Sequence, residues 1–192
     1  MEMVLRMEDV VDMDDEHFYA LCQNNPDMRL ERNADGDVVI MPPTGGDTSR
    51  RNAEIIVQLG IWARRDGSGV LFDSSGGFRL PNGTVRSPDA AWVEKGRLEG
   101  LSAEERRHFL PLCPDFVVEL RSESDSLYAV QEKMREYAAC GTRLGWLIDP
   151  SEQRVEVYRH GQPVEALIGT SAVSGEPVLP KFMLELDNIW AE

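Results

Sequence analysis

Cysteine is scarce in this chain of 192 residues: Cys22, Cys113 and Cys140 are the only three. An odd number at wide spacing supports neither a disulfide framework nor a zinc site. Histidine is equally sparse, and His17, His108 and His160 are scattered with no ligand spacing. No apolar stretch approaches the length that crosses a bilayer, and no basic-then-apolar signal region opens the chain. Cytoplasmic residence is therefore the expectation. Positive charge is also short, with 20 Lys and Arg against 34 Asp and Glu, a net charge of −14. Non-specific DNA affinity comes mainly from Lys and Arg releasing phosphate counterions. The balance weighs against a protein that coats DNA, but not against an enzyme whose bound metal supplies positive potential at its site. Internal repeats, low-complexity segments and linkers are absent too.

What is present is ordinary for a globular protein: 42% hydrophobic and 28% charged residues. The length suits one domain, 1–192, with a substantial core. Met13-Asp14-Asp15-Glu16-His17-Phe18 opens a short helix, with acids in the first turn where the helix dipole favours them. Residues 28–31 and 37–41 flank Ala34-Asp35-Gly36 and read as a β-hairpin. After the loop Pro42-Pro43-Thr44-Gly45-Gly46, with Asp47 or Thr48 as cap, residues 49–65 carry Ile55, Ile56, Leu59, Trp62 and Ala63 at helical spacing. Short strands follow at 70–73, 78–80 and 89–93, then a polar helix at 103–109 and a strongly β-like run at 113–120. A helix from about 126 to 139, capped by Ser124 or Asp125, precedes strands at 146–149 and 155–158 and apolar runs in the tail, 164–190. The economical reading is one α/β domain with a mixed sheet.

Two acidic segments stand out within it. Arg86-Ser87-Pro88-Asp89 leads into Ala90-Ala91-Trp92-Val93, and Pro114-Asp115-Phe116-Val117-Val118 leads into Glu119-Leu120-Arg121. A carboxylate in such a run is expensive to bury unless something cationic meets it. Alternation puts Phe116 and Val118 on one face and Val117 with Glu119 on the other, so the glutamate's face is not plainly solvent. Asp89 and Glu119 on neighbouring strands would form an oxygen site for a hard divalent cation.

The order strand-Asp89, strand-Glu119-x-Arg121, then an amphipathic helix bearing Lys133 resembles the PD-(D/E)xK nuclease superfamily, and within it the Uma-two family of restriction-endonuclease-like proteins. The likeness is carried also by Met41-Pro42-Pro43-Thr44-Gly45-Gly46, Lys133-Met134-Arg135-Glu136-Tyr137 and Gly145-Trp146-Leu147-Ile148-Asp149-Pro150, and spans roughly residue 28 to the end. It implies a restriction-endonuclease-like mixed β-sheet flanked by helices, here with an N-terminal helix and β-hairpin. It also implies a metal-dependent endonuclease acting on phosphodiester bonds of nucleic acid, DNA first. Asp89, Glu119 and the backbone carbonyl of Leu120 would hold Mg²⁺ or Mn²⁺.

The superfamily places a lysine two residues after the glutamate, where this chain has Arg121. Arginine is effectively never deprotonated, so Arg121 can stabilise charge or hold a phosphate but cannot be a base. Lys133 lies at the edge of the stripe Leu127, Val130, Met134 and Tyr137, and its long arm can reach back towards the strand end. A glutamate on the first long helix is a further family feature, and Glu54 is the candidate. Helix geometry, however, turns Glu54 away from the stripe of Ile56, Leu59 and Ala63, whereas Asn52 faces inward. Arg50 and Arg51 sit in that helix's first turn, where the dipole penalises cations by roughly 0.3–1 kcal/mol each, an arrangement that suits phosphate or a solvated face. Trp190, Ile189 and Phe182 would leave an apolar surface for a homodimer. The alternative reading is a catalytically lapsed, nuclease-like binding or assembly module, motivated by Arg121 and the acidic charge.

Overall fold

The computed structural model describes residues 3–191; residues 1, 2 and 192 of the expected domain lie outside it. In chain order it contains β1 (Met3–Leu5), α1 (Asp15–Asn24), β2 (Arg29–Arg32), β3 (Val38–Met41), α2 (Gly46–Asp66), β4 (Gly69–Asp73), β5 (Phe78–Arg79), β6 (Val85–Arg86), β7 (Ala90–Glu94) and α3 (Lys95–Glu99). After a single 3₁₀ turn, Glu105–Arg107, come β8 (Phe116–Leu120), α4 (Leu127–Ala139), β9 (Leu144–Asp149), β10 (Arg154–Arg159), β11 (Glu165–Ile168), β12 (Ala172–Ser174), β13 (Met183–Glu185) and α5 (Asp187–Trp190). A six-stranded mixed sheet, in the order β11-β10-β9-β8-β7-β4, forms the centre. Only β8 and β9 run parallel there, because α4 provides the crossover that a parallel pair needs.

Strand alternation divides the core in two. Phe116, Val118 and Leu120 of β8 face α2, through Ile55 and Leu59, together with β12, β13 and Ile189 of α5. Val117 faces the other way, onto Met134 and Tyr137 of α4. Each such fully buried large apolar side chain contributes roughly 1.5–3 kcal/mol. The Leu127-Val130-Met134-Tyr137 stripe is therefore what lays α4 across the sheet, with Met134 and Tyr137 wholly buried.

The hairpin β2–β3 belongs to a second, antiparallel sheet, β1-β3-β2-β6-β5. Its turn is set by Asn33, whose side-chain oxygen accepts from the backbone N–H of Asp35 (3.0 Å) and Asp37 (2.8 Å), while Gly36 takes a φ of +83°. Phe18 of α1, Leu30, Val38 and Val85 pack beneath this sheet. The pairing of Arg32 with Val85 hangs the hairpin beside β6, immediately before Asp89.

Several expectations are corrected. The helix at 103–109 shrinks to one turn: Ser102 and Glu105 form a capping box, but no residue of the turn is buried, so nothing propagates it. Helix α2 starts earlier, with Gly45 rather than Asp47 or Thr48 as its cap, and α4 is capped by Ser126. Strands β1 and β6 and helix α3 were not anticipated. Phe182 and Ile189 are core residues, and Trp190 packs against that core with its indole N–H on the Thr170 carbonyl at 2.8 Å. These three side chains therefore serve the core, and the apolar surface expected from them is not formed there.

Candidate active site

Strands β7 and β8 pair with Ala90 opposite Val118, so Asp89 and Glu119 emerge at the same end of the sheet. Asp89 Oδ2 accepts from the backbone N–H of Leu120 at 2.9 Å, which fastens the carboxylate to the end of β8. Burial nevertheless pushes the Asp89 carboxyl above its ordinary range. Glu119 is buried, and Lys133 of α4 reaches it, with Nζ 2.9 Å from Oε1. Tyr137, one turn along the same helix, donates its hydroxyl to the same oxygen at 3.0 Å. Burial, together with the neighbouring Asp89 and Glu31 charges, raises Glu119 to about 7 in spite of Lys133.

A third carboxylate, not anticipated from the sequence, completes the cluster. Glu31 of β2 is 2% exposed and lies 2.8 Å from Lys133 Nζ through Oε1. The same oxygen accepts from the Ser87 N–H at 2.8 Å, and Oε2 meets Arg86 Nη1 at 3.1 Å. Burial acts to raise the Glu31 carboxyl, but Lys133 and Arg86 outweigh it and hold the group low. Arg86 is anchored in turn by Glu136, 2.6 Å from its Nε. Lys133 thus sits between two buried carboxylates. Burial alone would lower its ammonium, but Glu119 and Glu31 carry it upward instead, so Lys133 is a permanent cation.

These groups lie in a groove of about 1690 Å³ running from the Pro42-Pro43-Thr44-Gly45 loop, past the ends of β7, β8 and β9, to the outer side of α4. Six basic side chains line it against ten acidic ones.

The chain is similar to known proteins in family and in fold. A family model for Uma2, described as "Putative restriction endonuclease", matches residues 15–187. The chain belongs to the Uma2 family. Among solved structures, the chain is similar to one described as a putative nuclease belonging to DUF820 from Anabaena variabilis ATCC 29413. That pair shares 20% identity at a TM-score of 0.72, covering 84% of this chain and 89% of the other, a likeness of fold. No curated protein matches.

In this Uma2 chain the two cations proposed for the site part company. Arg121 lines the groove, but its guanidinium is committed to Asp149 (Nη1 to Oδ2, 2.7 Å) and to the Asp125 carbonyl (3.2 Å). Burial works to raise Asp149, yet its bonds from Ser151 and Arg121 keep it below the carboxylate range. Lys133 takes the place beside Glu119 instead. Glu54 is not brought to the site: it accepts from Gln58 at 2.9 Å, on the side of α2 turned towards β13. Asn52 is the residue of α2 that faces Asp89, its Nδ2 lying 3.5 Å from Oδ1. Its own Oδ1 is buried with no hydrogen-bond partner. Arg50 and Arg51 are held by the backbone at the end of α5. Arg50 donates to the Asn188 and Ala191 carbonyls at 2.8 and 2.6 Å, and Arg51 to that of Ile189 at 2.8 Å, which caps α5.

Among the described residues no group of three or more His, Cys, Asp and Glu side chains is arranged to hold a metal ion. The donors at hand are two carboxylates, Asp89 and Glu119, with the Leu120 carbonyl and the orphaned Asn52 oxygen beside them. All are oxygens, and one or two carboxylates with several retained waters is the habit of Mg²⁺. The set fits a hard divalent cation and does not fit zinc. No helix among the described residues is long and apolar enough to cross a membrane.

Proposed function

We propose that this protein is a divalent-metal-dependent endonuclease that hydrolyses phosphodiester bonds of DNA. The observation that carries the proposal is the contact of Lys133 Nζ with Glu119 Oε1 at 2.9 Å. It supplies, from α4, the acid–lysine pairing that Arg121 cannot provide from β8. Asp89, Glu119 and the Leu120 carbonyl are the groups that would hold Mg²⁺ or Mn²⁺, with Asn52 Oδ1 adjacent. When bound, such an ion polarises a phosphoryl oxygen and lowers the pKa of water.

The chain's own residues then have distinct tasks. Tyr137 and Lys133 both occupy Glu119 Oε1, so the second oxygen, Oε2, is left to face the groove. Leu120 N–H holds Asp89 Oδ2, so Oδ1, with only a long 3.5 Å contact from Asn52 Nδ2, is the more available oxygen of Asp89. Lys133 stays protonated, so it acts as a fixed positive charge and hydrogen-bond donor rather than as a base or a general acid. Its place is beside the phosphoryl oxygens, where negative charge develops in the transition state, the setting in which preorganised charge is most effective. Glu31 shares that ammonium with Glu119, and Arg86 in turn pairs with Glu31.

Calorimetric titration of Mn²⁺ into the wild type and Glu119→Ala, both checked for folding, is the test, followed by cleavage of plasmid DNA with and without chelator. Saturable binding in the wild type, lost in the variant, with chelator-sensitive cleavage that Mg²⁺ restores, is the expected result. Cleavage retained by Glu119→Ala would overturn the proposal.

A further inference from the structure

The chain has fourteen aromatic residues, and all lie among the described residues. Thirteen are buried or half-buried. The exception is Tyr128, 69% exposed, and it lies on the wall of the groove that contains Asp89, Glu119 and Lys133. It stands in the first turn of α4, five residues before Lys133 and so ~7.5 Å from it along the helix axis. An exposed tyrosine ring loses little on being covered and offers a π-face to any nucleobase.

The charges of the same groove exclude the usual means of holding a duplex, a row of free cations along its two phosphate backbones. Arg86 is bound to Glu31 and Glu136, Lys133 to Glu31 and Glu119, and Arg121 to Asp149. Arg135 is paired with Glu132, and Arg51 is committed to the carbonyls of α5. Arg29 alone has nothing better than a 3.4 Å contact to the Ser74 carbonyl. Beyond what a bound metal ion contributes, affinity in this groove has to come from something other than phosphate neutralisation, and Tyr128, the exposed aromatic of its wall, is placed to supply it.

We infer that the groove takes an unpaired nucleic-acid strand, with a nucleobase next to the scissile phosphate stacked on Tyr128. The inference rests on the nuclease reading and narrows its substrate to single strands or to unpaired stretches in a duplex. An exposed aromatic reads bases without reading sequence, so little base preference is expected. Tyr128 would be a positioning residue: it touches the substrate one step from the reacting phosphate and holds no part of the metal site.

Fluorescence anisotropy tests this with labelled oligo-dT, oligo-rU and a mixed-sequence DNA duplex of equal length, Ca²⁺ replacing Mg²⁺. The proteins are the wild type, Tyr128→Ala and Tyr128→Phe; at so exposed a position neither change threatens folding. The single strands are expected to bind more tightly than the duplex. Tyr128→Ala should weaken them about tenfold, within the usual range of base–aromatic stacking, while Tyr128→Phe keeps wild-type affinity because the ring remains. The dT and rU arms report which sugar is preferred. Duplex binding as tight as that of the single strands overturns the inference. So does wild-type affinity in Tyr128→Ala, or an absence of binding to any strand. Failure of the nuclease reading looks different: single strands bind and depend on Tyr128, but no cleavage follows when Mg²⁺ is restored.

Discussion

Lys133 is compensated by two carboxylates at 2.8 and 2.9 Å, and its side chain is only 13% exposed. Removing one partner of such a buried arrangement leaves the rest uncompensated, at a cost of about 3–5 kcal/mol. Lys133→Met is therefore expected to lose about 3 kcal/mol in urea unfolding at pH 8, and less at pH 5, where Glu119 can take up a proton. The wild type has its own pH signature in metal-free buffer. Glu119 is raised from an ordinary 4.5 to about 7. A group raised in the folded state contributes stability that is complete below its unfolded value and is lost as pH climbs through the folded one. Glu119→Gln should then be more stable than the wild type at pH 8, with an advantage that shrinks between pH 7 and 4.5. An advantage that grows on acidification would show that Glu119 is not held protonated by burial. Glu31 and Asp149 are shifted the other way, so their contributions are present above the carboxylate range and fade in acid.

The distance from Lys133 to Glu119 is an achievement of elements, since α4 must lie close against β8 and β9. Gly145 of β9 permits that approach: a Cβ there would stand 2.6 Å from Met134 Cε and 3.2 Å from Val117 Cγ2. Met134 is wholly buried and only its flexible terminal methyl is in the way, so it must repack and Gly145→Ala is expected to cost about 1 kcal/mol. Thermal unfolding measures it, and an unchanged midpoint would mean that α4 has slack to move outward. This closeness also bears on what the sequence disclosed. The apolar stripe of α4, the alternation in β8 and the Asp89–Glu119 order were legible because each is a local pattern of period 3.6 or 2. Lys133 could be placed at the stripe's edge for the same reason. Glu31 could not be foreseen: Arg-Leu-Glu-Arg reads as a polar strand, and what buries the glutamate, Arg86 and Lys133, arrives from β6 and α4, 55 and 102 positions away. For Arg121, the commitment to Asp149 was hidden for a related reason. Its partner Asp149 comes from the parallel neighbour β9, whose register no local pattern announces. Glu54 was the opposite case, because helix geometry alone already turned it away from the site.

At the scale of the molecule, the net charge of −14 and the groove's six basic against ten acidic side chains must both be reconciled with the proposed polyanionic substrate. For single strands, log K falls with log salt at a slope of about −0.7 for every phosphate neutralised. Nearly all the groove cations are tied internally: Lys133 keeps its two carboxylates while it faces the scissile phosphate, and only Arg29 and the surface-paired Arg135 are free to neutralise further phosphates. Two neutralised phosphates give a slope of about −1.4, which is roughly a sevenfold loss of affinity between 50 and 200 mM salt. A protein with six to ten phosphate contacts loses on the order of 10³–10⁵ over the same interval. Anisotropy titrations of oligo-dT across that range, at constant divalent-ion concentration, separate the two regimes. A slope steeper than about −4 would mean that the internal ion pairs open to receive the strand. In that event Arg86 and Lys133 would become phosphate ligands, and the buried cluster would be the free protein's means of storing those cations until a substrate arrives. A shallow slope would leave stacking and the metal as the two sources of affinity in an otherwise acidic protein, and would account for a chain this negative acting on nucleic acid.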